Sequence, residues 1–147
     1  MMKNTIKAAL AYFAIIFGAG FVFGAARVLL LVPRIGPLAG VMLELPVMLL
    51  TSWLVCRAIV RHWRVPPEAG SRALMGLSAF LLLMTAEFVL AVTLFSRGPE
   101  AFLGDLCTVP GALGLAGQIC FGLWPLAQGI VERRLNRVWS VKAKDIL

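Results

Sequence analysis

The chain has 147 residues, 61% hydrophobic and 14% charged, with a net charge of +7 and a mean hydropathy of +0.92. Soluble domains run near ~45–50% apolar and ~25% charged, so the excess apolar surface points to a membrane. This balance excludes a disordered tail, a disulfide scaffold and a large enzyme with its own cofactor domain.

Four helices are predicted in chain order, near residues 6–32, 38–60, 72–96 and 109–135. Ala8 to Ala26 carries no ionisable group except the Tyr12 phenol. Leu38 to Cys56 is broken only by Glu44, and Ala73 to Ser96 only by Glu87. Leu106 to Val131 contains no acid or base. Each run is close to the ~20 residues an α-helix needs to cross the hydrocarbon core. A closed barrel would need alternating strands of about ten residues, and no such alternation is present. The fold class expected is therefore all-α, an integral membrane four-helix bundle occupying residues 1–147 as a single domain. Residues 136–147 read as a short basic tail. The first apolar stretch, although followed by the small triplet Gly24-Ala25-Ala26, exceeds the ~7–15 residues of a signal peptide's apolar region. An uncleaved first helix is expected.

Basic residues orient the spans. Lys3, Lys7, Arg57, Arg61, Arg64, Arg72, Arg133, Arg134, Arg137, Lys142 and Lys144 share one side if both termini face it. Only Arg27, Arg34 and Arg97 remain for the other. The positive-inside bias then makes both termini cytoplasmic. Arg57, Arg61 and Arg64, beside Trp63, form a basic collar facing anionic lipid heads. These border positions are a membrane pattern, and no nucleic acid is expected as a partner. The connection Val65–Ser71 reads as a turn stiffened by Pro66-Pro67, and Ser96 to Pro110 as a longer outer loop.

Charged groups within spans are costly and mark functional hypotheses. Arg27 and Glu44 each lie about six residues, ~9 Å, below the outer helix ends, and Glu87 and Gln118 lie ~13 Å below theirs. Arg27, Glu44, Glu87 and Gln118 thus form one expected polar layer. The glycines Gly20 and Gly24, with Gly114 and Gly122, fall on the same helix stripes. Small residues let helices approach closely, so the layer is expected to face into the bundle. One arginine neutralises one glutamate. The other carboxyl is then a proton site or a ligand for a cationic guest, unless the layer is a structural salt bridge fixing helix register. Pro46 and Pro125 each remove a helical hydrogen bond.

Catalytic motifs are missing. Cys56, Cys107 and Cys120 contain no Cys-x-x-Cys pair. His62 is the single histidine, so neither a bis-histidine haem nor a histidine metal site is expected. No nucleophile elbow, phosphate loop or zincin motif occurs. No cofactor, metal or catalytic residue is predicted, and the chain is read as a non-enzyme.

The stretch Gly18-Ala-Gly-Phe-Val-Phe-Gly24, with Arg27 to Gly36 and then Glu44-Leu-Pro46, resembles a group of small four-helix bacterial inner-membrane proteins without assigned activity. The likeness covers about the first 60 residues. It implies the four-span topology and a location in the cytoplasmic (inner) membrane of a bacterium, draws attention to Arg27, Arg34 and Glu44, and implies no substrate. The expected function is a non-enzymatic partner or accessory component working by helix–helix association, with a second copy or another membrane protein. A small oligomeric permease or proton-linked transporter using the carboxylates is the alternative. A weaker reading, lipid or quinone handling, rests on Phe13, Phe17, Phe21 and Phe23.

Overall fold

A computed structural model describes residues 2–94 and 98–144 of the chain, with side chains as far as Trp139. Ser96 and Arg97, expected in the outer loop, lie outside the described residues, as do the side chains of Lys142 and Lys144. The elements are α1 (Met2–Ala26), a π-helical turn (Arg27–Leu31), α2 (Val32–His62), α3 (Ala69–Thr93), α4 (Pro99–Leu106) and α5 (Val109–Lys144). Among the described residues every regular element is a helix. Three continuous helical stretches, Met2–His62, Ala69–Thr93 and Val109–Trp139, are long and apolar enough to cross a membrane.

The first stretch does not run straight. At ~1.5 Å per residue, Arg27 and Glu44 would be about 25 Å apart along one helix, yet their side chains are 2.6 Å apart. The reversal is at Gly36, whose φ of 80° and ψ of 167° lie outside the helical region. Glycine adopts this conformation without a Cβ penalty, and the following Pro37 steers its predecessor away from the α region. Just before it, the Val32 N–H reaches back five residues to the Arg27 carbonyl. Pro33 cannot donate to Leu29 and its ring crowds that carbonyl, so the chain widens into a π turn. α1 and α2 are thus two antiparallel arms joined with almost no loop.

The α2–α3 connection is a helix stop of a different kind. Arg64 sits in the left-handed region at φ 50°. The Val65 N–H donates to Val60 O at 3.0 Å and the Arg64 N–H to Arg61 O at 3.3 Å. This pair of bonds is the Schellman pattern, which satisfies carbonyls that the helix end would leave free. Val65 then tucks into the core.

Around the bundle the neighbours are α1 with α2, α2 with α5, α5 with α3 and α3 with α1. Contacts of Leu45 with Gly117 and of Trp53 with Trp124 and Gln128 make α2 and α5 parallel. Gly76 against Gly122 and Arg72 against Gly129 make α3 and α5 antiparallel. The start of α1 and the late turns of α5 therefore lie at the end that carries the α2–α3 turn, and Gly36 lies at the other. A Cβ on Gly76 would collide with the Gly122 carbonyl, so the α3–α5 crossing requires glycine there.

One expectation needs correction. The segment read as a loop from Ser96 to Pro110 contains α4, which starts with Gly98 as N-cap and Pro99 in its first turn, a favoured place for proline. Its Phe102 ring meets Phe88 of α3 edge-on at 5.4 Å, and Gly111 leaves room for the Asp105 carbonyl. Residues 136–144 of the expected short basic tail continue the helix of α5, which runs to Lys144. Nothing between Leu135 and Lys144 breaks a helix, since the stretch holds neither glycine nor proline.

The core is made mainly by the inward faces of α1, α2 and α3: Ala8, Ala9, Tyr12 and Ile16, then Cys56, Ile59 and Val60, then Met75, Ala79 and Leu83, with Phe121 from α5. Its centre is polar. Pro125 has no N–H to offer Phe121 four residues back, so the Phe121 carbonyl lacks its helical partner. The fully buried Tyr12 hydroxyl, from the diagonally opposite helix, donates to that carbonyl at 3.1 Å. The two rings stack with centroids 4.4 Å apart.

Tyr12→Phe should destabilise the bundle by about 1–3 kcal/mol, the penalty for leaving a buried acceptor unpaired. Pro125→Ala returns an N–H to the helix, and in that background the same Tyr12 change should cost clearly less. Denaturant unfolding in detergent across the four-variant cycle measures this coupling, and strict additivity would count against it.

Candidate functional site: the buried polar pairs

Arg27 opens the π turn and Glu44 lies on α2, with the Gly36 reversal between them. Arg27 Nε donates to Glu44 Oε2 at 2.6 Å, and the side chains are 27% and 16% exposed. Gly40 makes this possible: a Cβ there would come within 3.2 Å of Arg27 Cγ. The guanidinium stem therefore lies over a bare patch of α2. The pairing is local to the first hairpin and joins no other helix.

Glu87 of α3 and Gln118 of α5 form the second pair, the amide Nε2 donating to Glu87 Oε2 at 2.6 Å. The amide oxygen of Gln118 is buried without a partner. Among the described residues Glu87 has no cation within ion-pair distance. The side chain of Leu45 is close enough to touch a Cβ on Gly117 at 2.6 Å. Residues 44–45 and 117–118 are therefore level, and the two pairs sit at one height near the Gly36 end. The four predicted polar residues are thus arranged as a neutralised ion pair and a separate carboxylate–amide pair.

The predicted packing glycines divide. Gly122 is tight, with the Phe80 Cβ 3.1 Å from its own Cβ position, and Gly20 makes an ordinary 3.5 Å contact with Met48. At Gly24 and Gly114 no neighbouring atom of the chain itself lies within 4 Å of the Cβ position. A small-residue stripe shows which faces can be approached, but not which of them a neighbour uses. The collar residues Arg57, Arg61 and Arg64 are exposed. Of the aromatics, Phe21 and Phe23 also face outward, while Phe13 and Phe17 pack together at 5.5 Å.

A third polar site was not anticipated. Arg72, counted from sequence among the bases that orient the spans, is 1% exposed. Its Nε donates to Pro66 O at 2.9 Å and its Nη2 to Glu132 Oε2 at 2.7 Å, while Nη1 is buried and unpartnered. The guanidinium thus ties the α2–α3 turn and α3 to α5. Gly129 opens the slot, since a Cβ there would lie 2.9 Å from Arg72 Cγ. The signal available in sequence was the pairing of one glycine with the single acid between Leu106 and Lys144.

No protein-family model, curated protein or solved structure matches the chain.

The local character of the Arg27–Glu44 pair has a measurable consequence. Removing one partner strands a half-buried charge, whereas replacing both with apolar groups of similar volume removes the desolvation cost as well. Glu44→Ala should therefore destabilise the protein by more than Arg27→Met/Glu44→Leu, by about 1 kcal/mol or more after allowing for partial exposure. Thermal unfolding in detergent ranks the two, and a double variant as unstable as the single one would oppose the argument.

Proposed function

We propose that the chain is a multi-pass protein of a bacterial cytoplasmic membrane with both ends inside, acting as a non-enzymatic partner or accessory component. The membrane reading is supported by three helical stretches of sufficient length and apolarity, and by an exterior rich in Leu, Val, Ile and Phe. Patches of that size on a water-soluble monomer would drive association. The orientation rests on the basic residues, which gather at the end with the α2–α3 turn, opposite Gly36. The four-span arrangement counts the two arms of the first hairpin separately, in line with the sequence resemblance to small four-helix inner-membrane proteins.

The observation that carries the partner role is the open space at Gly24 and Gly114. Gly24 lies one turn beyond Gly20, which touches Met48, Gly114 lies between Gly111 and Gly117, which are close to neighbours, and both are half-buried within an apolar surface. Helices associate in lipid through close van der Waals approach at small residues, and these two positions have no helix of their own chain to receive. They suit a helix from a second copy or from another membrane protein. Gly24→Leu and Gly114→Leu should leave the bundle's unfolding midpoint near wild type, because the new side chains enter open space. Both should lower association by at least about tenfold, equivalent to ~1.4 kcal/mol. Native mass measurement in mild detergent reads both, and a wild-type chain that is strictly monomeric and alone would defeat the proposal.

One observation favours the second reading, a small oligomeric proton-linked transporter. Glu87 keeps a carboxylate without a cation beside an amide oxygen that has no donor, a pairing suited to holding a proton or a cationic guest. In that case Glu87→Gln should reduce pH-driven flux into vesicles by at least about tenfold, while Glu44→Gln acts mainly on stability. Folded Glu87→Gln protein with wild-type flux rules this reading out.

A further inference from the structure

We propose that Glu87 and Gln118 form a resident proton site: Glu87 is held as a neutral carboxylic acid inside the membrane, with the Gln118 amide as its partner. The inference deepens the second reading above and rests, like it, on the membrane reading. It names the proton as the ligand, in place of a cationic guest. Two carboxyls stand at one height in the bundle, and their surroundings divide them. Glu44 meets the Arg27 guanidinium at 2.6 Å. Among the described residues, Glu87 has no cation within ion-pair distance and receives a single donor, the Gln118 amide, at 2.6 Å.

An ionised carboxylate offers about four lone-pair sites. Away from water it persists only beside a countercharge or under several hydrogen bonds, and otherwise takes up a proton. Glu87 has neither. It is half-buried and lies about 9 Å along the helix from Thr93, where α3 ends. The α3 hydroxyls nearest to it in sequence are turned to their own helix, Thr85 to Leu81 O and Thr93 to Val89 O, each at 2.7 Å. Arg27 is already engaged by Glu44 within the first hairpin.

The amide suits both forms of the carboxyl. Toward a carboxylate it presents Nε2, the orientation seen here. Toward the acid, a half-turn about its last torsion presents Oε1, which accepts the Glu87 O–H. Gln118 Oε1 is buried without a donor, and a proton on Glu87 supplies one. The pair keeps one hydrogen bond in either form, and the acid form removes the uncompensated charge. A guanidinium or ammonium in the place of Gln118 would serve the carboxylate alone, because it carries donors and no acceptor.

The test uses the full chain in phosphatidylcholine nanodiscs at neutral pH, with the apolar reagent dicyclohexylcarbodiimide as the probe. A protonated carboxyl gives its proton to a carbodiimide nitrogen while its oxygen bonds to the central carbon. Migration of the acyl group to nitrogen then leaves a stable N-acylurea, with no atom lost. Peptide mass spectrometry reads the added mass. Glu87 should carry the adduct at least about tenfold more often than Glu44. R27Q, which withdraws the countercharge of the first pair, should make Glu44 a second labelled residue. Q118K, which sets an ammonium beside Glu87, should abolish the label with the carboxyl still in place. Circular dichroism checks that both variants remain folded, and if Q118K does not, the wild-type ratio and R27Q decide alone. The proposal is overturned by an unlabelled Glu87, by equal labelling of Glu87 and Glu44, by a label that survives in folded Q118K, or by a Glu44 that stays unlabelled in folded R27Q. Flux separates this outcome from that of the transporter reading. A labelled Glu87 with wild-type flux in E87Q keeps the proton site and removes the transporter. An unlabelled Glu87 with flux lost in E87Q removes the resident proton and leaves a cationic guest. Wild type that does not stay in the nanodiscs defeats the membrane reading and the proton site with it.

Discussion

The bundle is organised around a carbonyl that its own helix cannot use. Pro125 withholds the N–H that would pair with Phe121 O, and an unpaired carbonyl in a packed interior carries a full desolvation penalty. Tyr12 meets that demand from the opposite corner of the bundle, through a 3.1 Å bond and a stacked ring. Because α1 and α5 are not neighbours, this contact passes through the centre and is sensitive to the placement of all four arms. An apolar core would tolerate many rotations of greasy helices. A single donor aimed at a single acceptor tolerates few.

The other polar contacts work at different heights and with different reach. At the turn end, Arg72 joins α3, the α2–α3 turn and α5. At the Gly36 end, Gln118 joins α5 to α3 through Glu87, whereas Arg27 and Glu44 close the first hairpin on itself. Glycine creates the space at each place: Gly129 for Arg72, Gly76 and Gly122 for the α3–α5 crossing, Gly40 for Arg27. Hydrogen bonds provide the direction, and missing Cβ atoms provide the access. Between these contacts the surface is left to aliphatic side chains, which specify little about register.

The helical class and the length of the apolar stretches were legible because composition and run length are properties of single segments. The polar residues Arg27, Glu44, Glu87 and Gln118 could be assigned to a common depth from the helical rise alone. Their pairing could not, since it depends on where Gly36 turns the chain and on which arms become neighbours. Arg72 was hidden by its company: three exposed arginines precede it within fifteen residues, and only Gly129, far along the chain, marks the slot it enters. Gly24 and Gly114 show the converse. Their spacing satisfies a packing motif, but the motif is a capacity, and the chain's own helices leave it unused. α4 had its signal in place, with Gly98, Pro99 and Glu100 at a helix start, but the surrounding breakers Pro110 and Gly104 resemble a loop.

The loopless reversal at Gly36 bears on the order in which the protein is made. Arg27 and Glu44 lie within the first 62 residues and pair within one hairpin, so their charges neutralise each other without help from α3 or α5. A chain emerging from the ribosome holds this pair complete before the second half has been synthesised. Glu87 has no such provision: its amide partner is 31 residues later and arrives only with the last helix. The first hairpin can therefore enter its environment as a finished unit, while α3 must wait for α5, and the vulnerable moment in biogenesis falls between them.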